Sequence, residues 1–491
     1  MRPTTDHRWL CVLIIAAGAA VCPAQDTLWL RRFDFGANAQ AVGVDCRDGV
    51  IAVAGSVTDS LTLGSDVLAM RCNARGETLW TRRFDTGVED AAIEACIDAD
   101  GSILVNGYGM SFGTWSHQGW PLRLRQREIR TVMSEQESLR SITVKYDSGG
   151  NLKWTRIASN LISFGMALDT QGNCYVSGAS GFQTGVTDLW LAKLNPQGET
   201  LWTRTYDVSP VDMGYRLALC PDGNIAVAGL AGDGMVNDIL TAKFTPDGDT
   251  LWLRQHSFPE GGLGIGVAVD RQGNVVSCGW TNGPGSEHIA VLKHDSAGNE
   301  VWSRLYAPGA YSESYDVACD STGSIFVAGS TGQFFWEQYL VMKLTPDGDE
   351  EWSAIYDGDG ADYCQAVVCD ELANPITGGA SEDANSQYDV LLAKYVGAVG
   401  LAEHSRQRIT GGELGLRRGS FIGNSIVMYA PTTGVYRVDL RDAAGRRLAT
   451  LHQGWLSIGP HRLNLPRPPG IGFLSVTGPG VSATCKTIAV E

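Results

Sequence analysis

Tryptophan recurs along this chain at Trp29, Trp80, Trp154, Trp202, Trp252, Trp302 and Trp352, with spacings of 51, 74, 48, 50, 50 and 50 residues. The text around it recurs too. Leu201 to Asp249 reads LWTRTYD, then YRLALCPDGNIAVAGL, then NDILTAKFTPDGD, and LW returns at Leu251 and Trp252. A fixed period has to be interpreted before any single motif, because one copy cannot bury its own apolar face and is completed by its neighbours.

Each unit carries four strand candidates: the LWxRxY run, an apolar run such as Ile265 to Asp270, a Gly-Asn-apolar run such as Gly223 to Gly229, and a run ending in a basic residue such as Asp238 to Lys243. Alternation and β-branched residues mark the strands, and the DG, GN and PDGD pieces between them mark tight turns. Charged residues are only 19% of the 491 and glycine numbers 60, which suits short strands better than helices. A linear β-solenoid competes, but four strands in roughly 50 residues favour sheets stacked radially. The expected fold class is all-β, a seven-bladed β-propeller over 25–396 followed by a small immunoglobulin-like β-sandwich.

Residues shared by the units read as fold chemistry. Glycine closes the third strand at Gly55, Gly107, Gly178, Gly229, Gly279, Gly329 and Gly379, where the backbone is expected to turn or pack closely. A basic residue closes the fourth at Arg71, Lys145, Lys193, Lys243, Lys293, Lys343 and Lys394. Five positions earlier stand Asp66, Arg140, Asp188, Asp238, His288, Gln338 and Asp389. A repeated edge or inter-blade salt bridge is expected there rather than a ring of charge around a ligand. Arginine two residues after the tryptophan, as at Arg82, Arg204 and Arg254, shares a strand face with the indole.

The second unit departs from this module. Gly107 and Lys145 are 38 positions apart, against no more than 16 between the equivalent residues elsewhere. The insertion, about 108–144, carries Trp115 and Trp120 with Arg123, Arg125, Arg127 and Arg130. Aromatic and guanidinium groups in a symmetry-breaking loop make these the candidate binding residues.

No HExxH, Walker glycine loop or CxxC pair occurs, so no catalytic residue and no metal ligand is assigned, and no cofactor is expected. The PDGD and DGDG turns could attract Ca²⁺, yet they lack the twelve-residue EF-hand spacing. Acidic residues exceed basic ones by 54 to 38, which argues against nucleic acid as a partner.

The first 24 residues pair Arg2 and Arg8 with an apolar stretch from Trp9 to Val21 and end in Cys22-Pro23-Ala24. This is the pattern of a secretory signal peptide, with lipoprotein cleavage before Cys22 as the alternative, and no later stretch reads as a transmembrane helix. Residues 397–412 read as a linker. Residues 413–491 hold strand candidates at Ser425 to Tyr429, Gly434 to Arg441, Arg447 to Thr450, His461 to Leu465, Gly472 to Thr477 and Cys485 to Val490.

Two resemblances follow from these residues. The repeat, best seen in Leu152 to Glu199, Leu201 to Asp249 and Val301 to Asp349, resembles the seven-bladed propeller repeats of secreted bacterial proteins. The tail from Gly434 to Val476, with its turn at Asp442 to Arg446, its Gly459 to His461 element and its Gly472 to Leu474 strand, resembles the C-terminal sorting domains of the type IX (Por) secretion system. That resemblance implies the type IX machinery as a partner and a secreted or outer-cell-surface location. The expected function is a noncatalytic scaffold that binds a protein or glycan. The alternative is an enzyme acting on an extracellular polysaccharide or other substrate at the central channel, which asymmetric carboxylates at a channel mouth would favour.

Overall fold

The computed structural model describes residues 27–58, 64–110, 139–182, 186–283, 286–333, 336–358 and 360–397, and strands between 425 and 488. The chain divides into two units, one of them Trp29–Ala398 and the other containing the C-terminal strands. Among the described residues no helix is long and apolar enough to cross a membrane.

In the larger unit, Asn38–Arg47, Glu89–Ile97, Leu161–Leu168, Val211–Leu219, Gly262–Val269, Tyr311–Cys319 and Asp362–Cys369 each begin a set of four antiparallel strands. Each of these inner strands packs on the next, and Asp362–Cys369 packs on Asn38–Arg47, so the sheets close into a ring. One parallel bridge, Glu287 to Tyr311, joins two sheets into a continuous eight-stranded path.

The tryptophan strands do not open the sheets, as their order in the repeat suggests. Each is the outermost strand of the preceding sheet: Thr78–Phe84 pairs with Ser65–Asn73, and Thr200–Tyr206 with Asp188–Leu194. The last sheet receives its outer strand from the other end of the chain, in the order Thr27–Phe33, Tyr388–Tyr395, Pro375–Glu382, Asp362–Cys369. Arg32 Nε lies 2.5 Å from Asp389 Oδ2 across this closure. Joining the ends in one sheet closes the ring and leaves as edges only the short outermost strand of each sheet.

The recurring residues hold sheet to sheet. In five of the seven the indole N–H donates to a carbonyl in a turn of the following sheet, as from Trp80 to Ser148 (3.0 Å), Trp154 to Pro196 (3.0 Å) and Trp302 to Pro346 (3.1 Å). Those of Trp202 and Trp352 are buried with no partner among the described residues. The ring lies against the left-handed glycine of that turn: a Cβ on Gly298, at φ 85°, would sit 2.6 Å from Trp252. Arginine covers the indole at 5.5 Å in Arg82 over Trp80 and 5.8 Å in Arg254 over Trp252. Trp29 makes the same bond to Ala74 O at 3.2 Å, so the module also spans the closure.

The strand-closing lysines form salt bridges, though their partner is not the residue five positions earlier. Lys145 pairs with Asp98 (2.5 Å), Lys243 with Asp222 (3.1 Å), Lys293 with Asp270 (3.2 Å) and Lys394 with Asp370 (2.6 Å), all aspartates in the turn after the inner strand of the same sheet. Residues five apart on a strand face opposite sides of the sheet, so the earlier pairing is geometrically closed. The described cysteines are free thiols, and burial pushes Cys46 and Cys319 up to about 12.

In the smaller unit Ser425–Ala430 pairs with Gly459–Asn464, and a second sheet runs Arg447–Leu456, Gly434–Arg441, Ile471–Gly478, Val481–Ile488. These strands follow the candidates read from the sequence, with Arg447–Leu456 longer at its end and Val481–Ile488 beginning earlier.

Candidate functional site at the ring axis

Every inner strand carries one β-bulge at the same place. Pairing skips Val42, Ile93, Phe164, Tyr215, Ile265, Tyr315 and Gln365. An extra residue on one strand bends it and re-aims its side chains. The bulge also pushes the carbonyl two residues before it toward the next strand. A Cβ on Gly229 would sit 1.9 Å from Met213 O, and one on Gly55 1.8 Å from Gln40 O, with the same clash at the other strand-closing glycines. Close backbone approach is thus the reason for glycine there.

Six of the seven bulged side chains meet on the axis, the seventh being the buried Gln365. Val42, Ile93, Phe164, Tyr215, Ile265 and Tyr315 belong to one buried cluster with Tyr108, Met110, Met213 and Trp280. Phe164 and Tyr215 stack with ring centres 4.8 Å apart. The axis at this level is an apolar plug.

The next residue on each inner strand forms a second layer: Gly43, Glu94, Gly165, Arg216, Gly266, Asp316 and Ala366. Small and large side chains alternate. Arg216 crosses the layer, bonding the Glu94 carboxylate through one terminal nitrogen, with Nε 3.6 Å from Asp316 Oδ1. Its other terminal nitrogen donates to Val42 O (2.8 Å) and Gln365 O (3.2 Å). Asp316 Oδ2 accepts from Val367 N at 2.9 Å. Glu94, Arg216 and Asp316 are 9%, 4% and 7% exposed. Burial raises both carboxyls above their usual range despite the guanidinium beside them. The glycines give way to the neighbouring backbone, since a Cβ on Gly43 would meet Glu94 Cα at 2.6 Å and one on Gly266 Asp316 Cα at 2.7 Å.

Other carboxylates near this end of the ring are engaged in holding loops. Asp212 accepts from Val208 N (2.6 Å) and Ser209 N (2.8 Å), and Asp362 from Gly358 N (2.5 Å). Burial pushes both up to about 6. Tyr363 donates to Glu337 Oε2 at 3.2 Å. His288 lies 3.4 Å from Ser286 Oγ, while His294, at the other end of the same strand, stacks 5.8 Å from Trp252. Among the described residues no group of three metal-ligating side chains comes together.

Trp115, Trp120, Arg123, Arg125, Arg127 and Arg130 lie outside the described residues. Their segment leaves the sheet after Met110 and returns at Leu139, a paired register position beside the apolar plug. The axial triad escaped the sequence reading because it lies on no repeated residue. Its signal is a column of glycine, alanine and charge one residue past each bulge, visible only once the copies are aligned on the inner strand.

A closed ring of four-stranded antiparallel sheets whose last sheet takes its outer strand from the start of the chain is a β-propeller. No family model matches the sequence, and no curated protein does. Solved structures similar to it include a Dyadobacter fermentans protein of unknown function, at 10% identity and TM-score 0.46 over 77% of this chain and 100% of that one. The β-propeller domain of the Trilobed protease from Pyrococcus furiosus gives 10%, 0.42, 74% and 94%. The Dos1 propeller gives 8%, 0.43, 77% and 97%. These likenesses concern fold alone.

Proposed function

We propose that this is a seven-bladed propeller acting outside the cytoplasmic membrane as a noncatalytic scaffold that binds a protein or glycan. In this reading residues 1–24 direct export, and the C-terminal strands form an immunoglobulin-like sorting domain that hands the chain to a type IX machinery. The observation that carries the noncatalytic reading is the sealed axis. A propeller enzyme working at its central channel needs acids, bases or nucleophiles that substrate can reach. Asymmetric carboxylates do stand on this axis, but Glu94 and Asp316 are buried and neutralised by Arg216 above an apolar plug.

The test is to present the purified mature protein to a glycan array and, separately, to a polysaccharide-turnover screen that reads reducing ends. Retention without turnover is expected. Turnover that disappears in Asp316→Asn, with the fold intact by circular dichroism, overturns the reading and restores the axial enzyme.

A further inference from the structure

The sheet that ends in Leu152–Ser159 and the sheet that begins with Leu161–Leu168 leave a cleft of about 570 Å³ between their turns. That volume lies within the ~300–1,000 Å³ usual for small-molecule sites. Its floor is the Lys145–Asp98 pair, Nζ to Oδ2 2.5 Å, backed by Gly172. Trp154, Gln171 and Gln197 also line it, with Gln171 Oε1 accepting from Asn173 Nδ2 at 3.2 Å.

One residue distinguishes this cleft from its repeats. The position before the tryptophan is Leu28, Leu79, Leu201, Leu251 or Val301 in five of the other sheets and Glu351 in the sixth, and Leu79, Leu201, Leu251 and Val301 are about half exposed. Here it is Lys153, whose Nζ lies 3.0 Å from Asp100 Oδ2 and 3.4 Å from Ser102 Oγ. Slight burial works against ionising Asp100, but hydrogen bonds from Ser102 and Lys153 outweigh it and hold the carboxyl well below its usual range. A cation and an anion therefore stand side by side at the rim, next to an indole. The arginine that covers the indole in four other sheets corresponds to Arg156 here, and among the described residues no cation–π contact joins Arg156 to Trp154 or Arg304 to Trp302.

We propose that this cleft binds a neutral saccharide unit. Adjacent hydroxyls of a pyranose can accept from Lys153 and donate to Asp100 at once, while the amides of Gln171 and Gln197 take a further hydroxyl as donor or acceptor. The apolar face of the sugar ring packs on Trp154. Charges in the cleft balance, Lys145 against Asp98 and Lys153 against Asp100, and the whole chain carries a net −16. An anionic ligand finds no excess cation there. The inference rests on the binding-scaffold reading above and names its ligand class and place.

The experiment uses the full mature chain and isothermal titration with cellohexaose, laminarihexaose and mannohexaose, with tetragalacturonate as the charged probe. Lys153→Leu restores the residue the repeat uses, so its melting temperature should match the parent. At least one neutral hexaose should bind, and Lys153→Leu should weaken it about tenfold or more, the loss expected for a hydrogen bond from a charged donor. Gln197→Ala should weaken it less. Equal binding by the parent and both variants overturns the cleft while leaving the scaffold reading intact. Tetragalacturonate bound in place of the neutral sugars, or no probe bound, overturns the inference. Release of reducing ends from a bound hexaose instead overturns the noncatalytic reading, whatever Lys153→Leu does.

Discussion

Replacing Arg216 by methionine removes the guanidinium and its charge from the axis and leaves a shorter, apolar side chain. Glu94 and Asp316 then face each other without a cation, and Val42 O and Gln365 O lose donors at 2.8 and 3.2 Å. Stranding a buried charge costs about 3–5 kcal/mol, and each orphaned carbonyl about 1–3 kcal/mol. These terms share one site and do not add fully, so the expected loss is about 4–6 kcal/mol at pH 8. The pH dependence has a definite sign. Burial already raises both carboxyls above the ordinary 4.5 and 3.8 of Glu94 and Asp316, and losing Arg216 raises them further. An acid whose folded pKa is raised contributes stability that is full below its unfolded value and is lost as pH rises through the folded one. The deficit of Arg216→Met should therefore shrink from pH 8 toward pH 5. Guanidinium unfolding followed by tryptophan fluorescence at pH 5, 6.5 and 8 measures it. The combination Arg216→Met, Glu94→Met and Asp316→Leu should recover most of the loss, since apolar side chains need no counter-ion. Parent-like stability of Arg216→Met at pH 8, or a deficit that grows toward pH 5, refutes the reasoning.

Trp29→Ala should loosen the closing strand, because it removes the bond to Ala74 O and the packing on Gly76. A loss of about 2–3 kcal/mol, below the ~3–5 kcal/mol of a fully buried tryptophan, should appear with faster amide exchange confined at first to Thr27–Phe33. Gly229→Ala should abolish soluble expression or lower the melting temperature far more than an alanine in a surface turn, since its Cβ meets Met213 O at 1.9 Å and neither backbone can yield. Asp270→Ala should cost about 3–5 kcal/mol by stranding buried Lys293. Lys293→Met should cost less in the same denaturation assay, because Asp270 keeps Gln272 N at 3.0 Å and Asn274 N at 2.9 Å.

The repeat was legible because each copy needs the same few contacts. Tryptophan, its arginine and the strand-closing glycine recur with the fold, so their text announces four strands per period and a structural role. The phase of the unit was not legible. LW opens the repeated text, yet Trp80 and Trp202 sit on outermost strands, since only tertiary packing decides which strand faces the axis. The partner of the strand-closing lysine was missed for a related reason. Sequence distance points to Asp238 for Lys243, whereas antiparallel pairing folds Asp222 back to within 3.1 Å. Least visible was the axis, where no charged residue recurs and the meaning of Glu94, Arg216 and Asp316 depends on inner strands that lie far apart in the chain.

That axial layer also explains why three charges suffice to fill it. Around the ring, Gly43, Gly165 and Gly266 let the inner strands approach closely, and Glu94, Arg216 and Asp316 between them fill the space this creates. Alternation cannot be completed around an odd number of units, and it fails where Ala366 is followed by Gly43. Both are small, so this stretch would leave a gap on the axis with exposed carbonyls. The Arg216 terminal nitrogen reaches into that stretch, to Gln365 O and Val42 O, the carbonyls that precede Ala366 and Gly43. An even ring could alternate small and large without a defect and would need no side chain long enough to cross it. With an odd ring, one long residue with several donors must serve both its charged neighbours and the unfilled side. Arginine has that reach and that fork of donors, and lysine does not. Arg216→Lys should accordingly keep the charge yet lose the two carbonyl bonds. It should fall between the parent and Arg216→Met in the pH 8 denaturation series, and parent-like stability of Arg216→Lys would sink this account of the axis.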